Sequence, residues 1–366
     1  MVNMKDKEEK KESALHISKG KSVESNINQN FKRKKRPQRN LQEFLKGILE
    51  GNRVVLSQAI TLIESTQSQH QELAQQIIEA CLPYSGKSLR IGLTGTPGVG
   101  KSTFIDSFGQ VLLTEDRQLA VLAIDPSSQL TRGSILGDKT RMETLSVHPK
   151  AFIRPSAAGG SLGGVARKTR ESIILCEAAG FDTIIVETVG VGQSETAVHS
   201  MVDFFLLLLL PNSGDELQGI KRGVMEMADL IAINKADGDA LLAAKLAKKQ
   251  CRNGLHLFPP KASNWIATAE LCSALNQTGL ETIWQHILSF QNQTTINGYF
   301  QKHRQEQAKY WLEESIQQQL KQLFYQHTSI KGAFTAMEKQ VIAGELSPFK
   351  AAELLMNSFR NKENEV

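Results

Sequence analysis

The chain has 366 residues, with 43 Lys+Arg against 38 Asp+Glu, a formal charge of +5 and 40% hydrophobic residues, the balance of an ordinary globular protein with enough chain for one large or two small domains. Its longest wholly apolar run, Phe204 to Leu210, has seven residues, far short of the roughly 20 that span a bilayer as a helix, which excludes an integral helical membrane protein. The four cysteines, Cys81, Cys176, Cys251 and Cys272, form no C-x-x-C pair; neither a disulfide scaffold nor a Cys-only zinc site is expected, and a reducing, cytoplasmic setting fits.

The positive charge is local. Residues 1–40 carry 12 Lys+Arg and 5 Asp+Glu, which leaves the remaining 326 residues at −2. This tail has few large apolar residues, ends in the basic cluster at 31–37 and lacks an apolar targeting core, so it reads as a disordered, solvated arm over 1–40, with contact to an acidic partner surface as the alternative for the cluster. Neither nucleic acid nor membrane is an expected partner of the rest. From Leu41 the spacing turns helical: Leu41, Phe44, Leu45, Ile48 and Leu49 form one apolar stripe, and two further stretches pass through Ala59, Ile60 and Ile63 and through Leu73, Ile77, Ile78 and Cys81. They predict a helical N-terminal subdomain over 41–86.

Short apolar runs then alternate with helical segments: Ile91–Thr94, Ala120–Ile124, Ile184–Val186, Phe204–Leu210 and Leu230–Ile233, with weaker runs at Phe152–Arg154 and Ile266–Leu271. Continuous apolar strands separated by helices predict an α/β domain over 87–293, its mostly parallel sheet covered by helices on both faces. Beyond it, a Gln-rich helical pattern through Trp311, Leu312, Ile316, Leu320, Leu323 and Phe324, and a further amphipathic stretch to Phe359, give a helical C-terminal extension over 294–366.

The first strand runs directly into Gly95-Thr96-Pro97-Gly98-Val99-Gly100-Lys101-Ser102-Thr103, followed by a helical pattern. This is G-x-x-x-x-G-K-[ST] in the strand–loop–helix setting of a P-loop NTPase. Its glycines let backbone N–H groups turn around a β-phosphate, Lys101 reaches the β and γ oxygens, and the Ser102 hydroxyl is placed to ligate Mg²⁺. Mg²⁺ takes few direct protein ligands and needs carboxylates around its waters. The candidates are Asp125 and Glu187 at strand ends and Asp138 in the loop after the second strand. Gly190-Val191-Gly192-Gln193, just after Glu187, suits a switch segment that responds to a γ-phosphate.

Downstream, the strand Leu230–Ile233 delivers Asn234-Lys235-Ala236-Asp237. A carboxylate at the last position can accept from both N1–H and the 2-amino group of guanine, a donor pair adenine lacks. Ser273-Ala274-Leu275 follows another apolar run and matches a loop whose backbone N–H contacts guanine O6. The two segments together point to GTP and GDP rather than ATP.

In place of the Asp-x-x-Gly of Ras-like switches, this chain has Glu187-Thr188-Val189-Gly190. With the long insert between loop and switch, it resembles the SIMIBI-class P-loop GTPases and, within them, the MeaB/ArgK family associated with methylmalonyl-CoA mutase. The resemblance rests on Gly95–Thr103, Asp125–Ser128, Gly133–Met142, Ser161–Ala166, Glu187–Glu195, Gly214–Lys221 and Asn234–Asp237, and covers roughly residues 41 to 355. The family's Pro-Phe-x-Gly-Gly after Asp-Pro-Ser-Ser is replaced here by Gln129-Leu130-Thr131-Arg132-Gly133.

The resemblance implies a Mg²⁺-dependent, homodimeric GTPase whose C-terminal helices pair. It would act as a chaperone for an adenosylcobalamin-dependent acyl-CoA mutase, gating cofactor loading and protecting the enzyme. By position, Ser102, Asp125, Asp138 and Glu187 would form the magnesium network, with Lys101, Glu187 and Asp138 serving hydrolysis. Residues 214–221 would be a third switch that meets the mutase. Gln193 and Lys221 are the candidates for positioning water or charge. Two other readings stay open: a nickel-insertion GTPase, which the scattered histidines and isolated cysteines disfavour, and a kinase or transport ATPase, which the guanine signature disfavours.

Overall fold

The computed structural model describes residues 39–124, 142–155, 162–188, 194–211 and 222–363. Within them lies a sheet of seven parallel strands: β1 (Leu89–Gly95), β2 (Leu119–Ile124), β3 (Ala151–Arg154), β4 (Thr183–Thr188), β5 (Phe204–Leu209), β6 (Leu230–Ile233) and β7 (Thr268–Leu271). Their order is β3-β2-β4-β1-β5-β6-β7, so the expected α/β class and parallel sheet are borne out. Parallel neighbours need crossovers, and the helices supply them. They are α1 (Leu41–Leu49), α2 (Arg53–Glu64), α3 (Ser68–Cys81), α4 (Lys101–Thr114), α5 (Glu143–Val147), α6 (Leu162–Ala178), α7 (Ser194–His199), α8 (Arg222–Met227), α9 (Leu241–Leu255), α10 (Leu280–Ile296), α11 (Tyr299–Gln326), α12 (Thr328–Ile342) and α13 (Pro348–Glu363).

Period-two alternation explains how one apolar run serves both faces. Every residue of β5 is buried. Phe204, Leu206 and Leu208 pack with α4 and α10 on one face, against Phe104, Phe108, Ile283 and Trp284. Leu207 and Leu209 point the other way, toward Met225 of α8 and Ala244, Ala247 and Cys251 of α9. On that second face, Ala120, Leu122, Ile184 and Val186 share a cluster with Ile48, Leu56, Ile60 and Ile77 of α1–α3 and with Ile173 of α6. The three N-terminal helices therefore have no core of their own. Each fully buried large apolar side chain contributes about 1.5–3 kcal/mol relative to exposure.

Local signals set the helix ends. Asn40 and Glu43 close a capping box at the start of α1, and the Asn52 side chain accepts from the N–H groups of Val54 and Val55 at the start of α2. The last amphipathic stretch is divided in two: Gly344, in the left-handed region at φ 74°, follows α12, and Pro348 opens α13. The last strand is shorter than the apolar run from Ile266 suggested. Register with β6 begins at Thr268 opposite Leu230, and Ile266 lies outside the sheet, 77% exposed, because β7 is an edge strand. All four cysteines are buried and unpaired. Burial pushes the Cys81 and Cys251 thiols up to about 11 and Cys272 up to about 12, which makes them packing groups rather than nucleophiles.

Candidate nucleotide site

β1 sits between β4 and β5, and its carboxyl end opens into the glycine loop at the position where open α/β sheets place ligands. The loop is held tightly to the strand beside it: a Cβ on Gly95 would lie 2.6 Å from the Leu208 carbonyl oxygen. At the other end Gly100 takes the left-handed conformation, φ 92° and ψ 33°, as the residue that caps α4. Having no side chain, it leaves the first-turn N–H groups of α4 uncapped, the arrangement that attracts an anion. Lys101, the first residue of α4, folds back over the loop and donates to the carbonyls of Gly95 at 2.8 Å and Thr96 at 3.4 Å. Ser102 and Thr103 follow in the first turn, Ser102 half-buried and Thr103 exposed, with Pro97 and Gly98 exposed at the tip of the loop.

Around Lys101 the polar groups are not all satisfied. Burial lowers its ammonium from the ordinary lysine value, while the carboxylates of Glu187 and Glu195 pull it back up. Glu187 lies in β4, in register with Leu93 of β1 and Ala123 of β2, one residue before the strand's last residue Thr188. The Thr188 hydroxyl donates to that of Thr94, 2.8 Å away, and ties β4 to β1 beneath the loop. Glu195, only 6% exposed, has one carboxylate oxygen buried without a partner, and the hydroxyls of Thr96 and Ser194 are in the same condition. Buried polar atoms left without partners point to groups the protein itself does not supply. Asp125, Asp138, Gln193, Lys221 and the 214–221 segment lie outside the described residues.

Three side chains join the second half of the site to the first, and Asn234 bonds to both loops. Asn234 follows β6, 1% exposed, with its backbone N–H on the Leu209 carbonyl at 2.8 Å. Its amide nitrogen donates to the Val99 carbonyl of the glycine loop at 2.9 Å, and its amide oxygen accepts from the Ala274 N–H at 3.0 Å. The Ser107 hydroxyl of α4 donates to the Ala274 carbonyl at 2.7 Å, which fixes the same loop from the other side. Lys235, left-handed at φ 59°, lays its ammonium on the Gly98 carbonyl at 2.9 Å. Asp237 accepts from the Ser273 hydroxyl, which also receives the Asn276 N–H at 3.1 Å. Leu275 turns its side chain to solvent, 80% exposed, so what it brings to the site is backbone. The glycine loop and α4 thus meet two segments that lie 135 or more residues further along the chain. The sequence singled out Asn234, Lys235, Asp237 and Ser273–Leu275 but carried no sign that Asn234 is the strut between the segments, and Ser194 and Glu195 were not singled out as site residues.

A parallel sheet with this loop at the carboxyl end of its central strand defines a P-loop nucleoside triphosphatase. A solved structure described as a LAO/AO transport system kinase superposes with a TM-score of 0.69 and 38% identity, covering 87% of this chain and 97% of that one. The family model of the methylmalonyl-CoA mutase-associated GTPase MeaB matches residues 56–329, and the chain belongs to that family of GTPases. The mouse protein named methylmalonic aciduria type A homolog, mitochondrial, is 44% identical over 335 residues, 89% of this chain and 81% of that protein. GTPase ArgK of Escherichia coli K12 is 48% identical over 280 residues, 76% of this chain and 85% of that protein. Among the described residues no helix is long and apolar enough to cross a membrane.

Proposed function

We propose that this chain binds GTP and GDP at the edge formed by residues 95–103, Asn234–Asp237 and Ser273–Leu275, hydrolyses GTP, and uses that cycle to assemble with an adenosylcobalamin-dependent acyl-CoA mutase. The observation that carries the reading is the Asn234 strut, which holds a phosphate loop and a guanine-type loop in one piece. Asp237 is the guanine selector, its carboxylate set by Ser273. Lys101 neutralises charge on the β and γ oxygens, and the uncapped start of α4 receives the phosphates.

The unpartnered oxygens of Thr96, Ser194 and Glu195 suit a hydrated Mg²⁺, because that ion keeps several waters and reaches outer groups through them. Ser102 and Glu187 would hold it together with Asp125 and Asp138, and Glu187 and Asp138 would serve hydrolysis with Lys101. When bound, the ion neutralises charge on the transferring phosphoryl group. What the described residues themselves do is positional: they fix the loop, orient the ammonium and set the guanine pocket. Gln193 and Lys221, the candidates for positioning water or charge, lie outside the described residues; slow intrinsic turnover that rises on complex formation is expected.

The remaining assignments complete the reading. Residues 1–40 form the arm, 41–86 the N-terminal helices, 87–293 the GTPase domain and 294–366 the pairing region of a cytoplasmic homodimer. The family description and the naming of the mouse relative support methylmalonyl-CoA mutase as the partner class, whose cofactor loading the chain gates and which it protects. The test is gel filtration of the full chain with a methylmalonyl-CoA mutase in GDP and in a non-hydrolysable GTP analogue, followed by GTP turnover with and without the mutase. A nucleotide-dependent complex with raised turnover is expected. Absence of a complex in both nucleotides overturns the partner, and turnover of ATP equal to that of GTP overturns the base assignment.

A further inference from the structure

At the amino ends of β5, β6 and β7, on the far side of the sheet from the glycine loop, lies a cavity of about 730 Å³. That is the size of a small-molecule pocket rather than a packing defect, since such pockets run from about 300 to 1,000 Å³. Five half-buried rings line it: His199 at the end of α7, Phe258 and Trp265 on the connection from α9 to β7, and Tyr299 and His303 on the first turns of α11. Tyr299 and His303 stack on each other at 5.4 Å with an interplanar angle of 12°. His199 meets Phe205 edge-on at 5.6 Å.

The charges of the described lining residues favour one sign of ligand. The Lys261 ammonium is spent on the carbonyls of Met227 and Ala228 and on Asp229, at 3.0, 2.8 and 2.7 Å, which uses all three of its protons. The other Asp229 oxygen takes the Phe205 N–H at 2.9 Å. Asp203 is bonded through both oxygens, to Arg304 and to the Arg90 N–H. Among the described lining residues this leaves no lysine or arginine for a phosphate or carboxylate. The one carboxylate there without an ion pair is Glu226, exposed on α8. Neutral hydrogen-bonding groups also remain open. The ring nitrogens of His199 have no hydrogen-bond partner among the described residues, and the Tyr299 hydroxyl reaches only His303 Nδ1, at 3.5 Å, the far limit of a hydrogen bond.

We propose that this cavity binds a free molecule with a planar aromatic ring and neutral or positive charge, an arylalkylamine being the best fit: its ring lies between Trp265 and Tyr299, and its ammonium faces Glu226. An aromatic face also attracts a cation in its own right. The site is separate from the glycine loop, so its test needs no nucleotide.

Tryptamine, indole and indole-3-acetate share one ring system and differ in charge. They are titrated into the full chain by calorimetry at pH 8, above the ordinary imidazole range. Tryptamine is expected to bind tightest and indole-3-acetate at least about tenfold more weakly, the effect of one nearby carboxylate at partial exposure. Glu226→Gln should bring tryptamine and indole to similar affinity. Ala267→Trp, which fills the cavity, should abolish binding of all three, and Ala262→Trp at the exposed rim should do the same if the first variant fails to fold. Equal binding of the three probes, preference for the anion, or binding that survives a folded blocking variant overturns the proposal.

Discussion

The two ends of the sheet treat their charged groups in opposite ways. At the amino end, the buried carboxylates are bonded through both oxygens. Glu177 accepts from Ser88, the Gly86 N–H and the Arg90 guanidinium, and Asp203 from Arg304 and the Arg90 N–H. Arg170, with one nitrogen unpartnered, rests over the Trp311 ring at 5.6 Å, and burial together with Arg90 lowers it to about 10. At the carboxyl end, Glu195 keeps an oxygen without a partner, and Lys101, whose ammonium it influences, is bonded to backbone carbonyls rather than to a carboxylate. One end has its buried carboxylates satisfied internally and fastens α11 to the sheet. The other leaves buried polar atoms open, as the proposed nucleotide site requires. Marginal stability makes the first worthwhile, and ligand binding requires the second.

The sharpest way to break this comparison is to exchange the expected losses. Asp203→Ala takes the carboxylate from the Arg304 guanidinium, which keeps only the Gly86 and Ser88 carbonyls, and leaves the Arg90 N–H buried without its acceptor. Removing one partner of such a pair costs about 3–5 kcal/mol, to be read as a lowered urea midpoint, while the nucleotide affinity of the protein that remains folded stays unchanged. Lys101→Ala should do the reverse. Turnover of GTP falls by about 10²–10³, the loss of one group that stabilises transition-state charge, and the urea midpoint hardly moves. If Asp203→Ala abolishes GTP binding in folded protein, or Lys101→Ala unfolds the chain, the division between the two ends fails.

A smaller effect sharpens the ligand end itself. Asp237→Asn replaces the carboxylate proposed to face the guanine donors by an amide, and charge-assisted hydrogen bonds are worth about 1.5–3 kcal/mol, roughly ten- to a hundredfold in GTP affinity. Xanthosine triphosphate should gain what GTP loses, because its 2-oxo group accepts where the 2-amino group donates. Competition between the two nucleotides measures this directly, and unchanged preference would remove Asp237 from the base site.

The contrast also explains what could be read in the sequence. The two segments of the proposed nucleotide site could be picked out because each is short and has a fixed spacing, Gly95 to Thr103 and Asn234 to Asp237, and the structure brings them together. The strands were legible because a sheet covered on both faces demands unbroken apolar runs such as Phe204–Leu209. β7 was blurred at its start, where an edge strand takes only part of its apolar run into register and Ile266 stays in solvent. The structural end left no trace. Its partners are 87 residues apart for Arg90 and Glu177 and 101 for Arg304 and Asp203, and nothing about a lone arginine says which carboxylate the topology will bring to it. The same holds for the Asn234 strut, whose two contacts are 135 and 40 residues away.

The smallest effect concerns acid sensitivity at the structural end. Burial lowers the His199 imidazole from its ordinary value; Asp229 pulls it up, and Lys261 and His303 push it further down. A histidine held neutral in the folded state takes up its proton more readily once unfolded, so acid favours unfolding. Its contribution is intact above the unfolded-state value near 6.5 and is lost as pH falls toward the lower folded-state value. His199→Phe keeps a ring against Phe205 and removes this titration. The fall in urea midpoint between pH 7.5 and pH 5.5 should therefore be shallower in the variant than in the parent protein, while the midpoints at pH 7.5 stay close. A parallel fall in both proteins would mean that carboxylates alone set the acid limb. His199 would then belong with the balanced groups of that end rather than being the one place where acid loosens it.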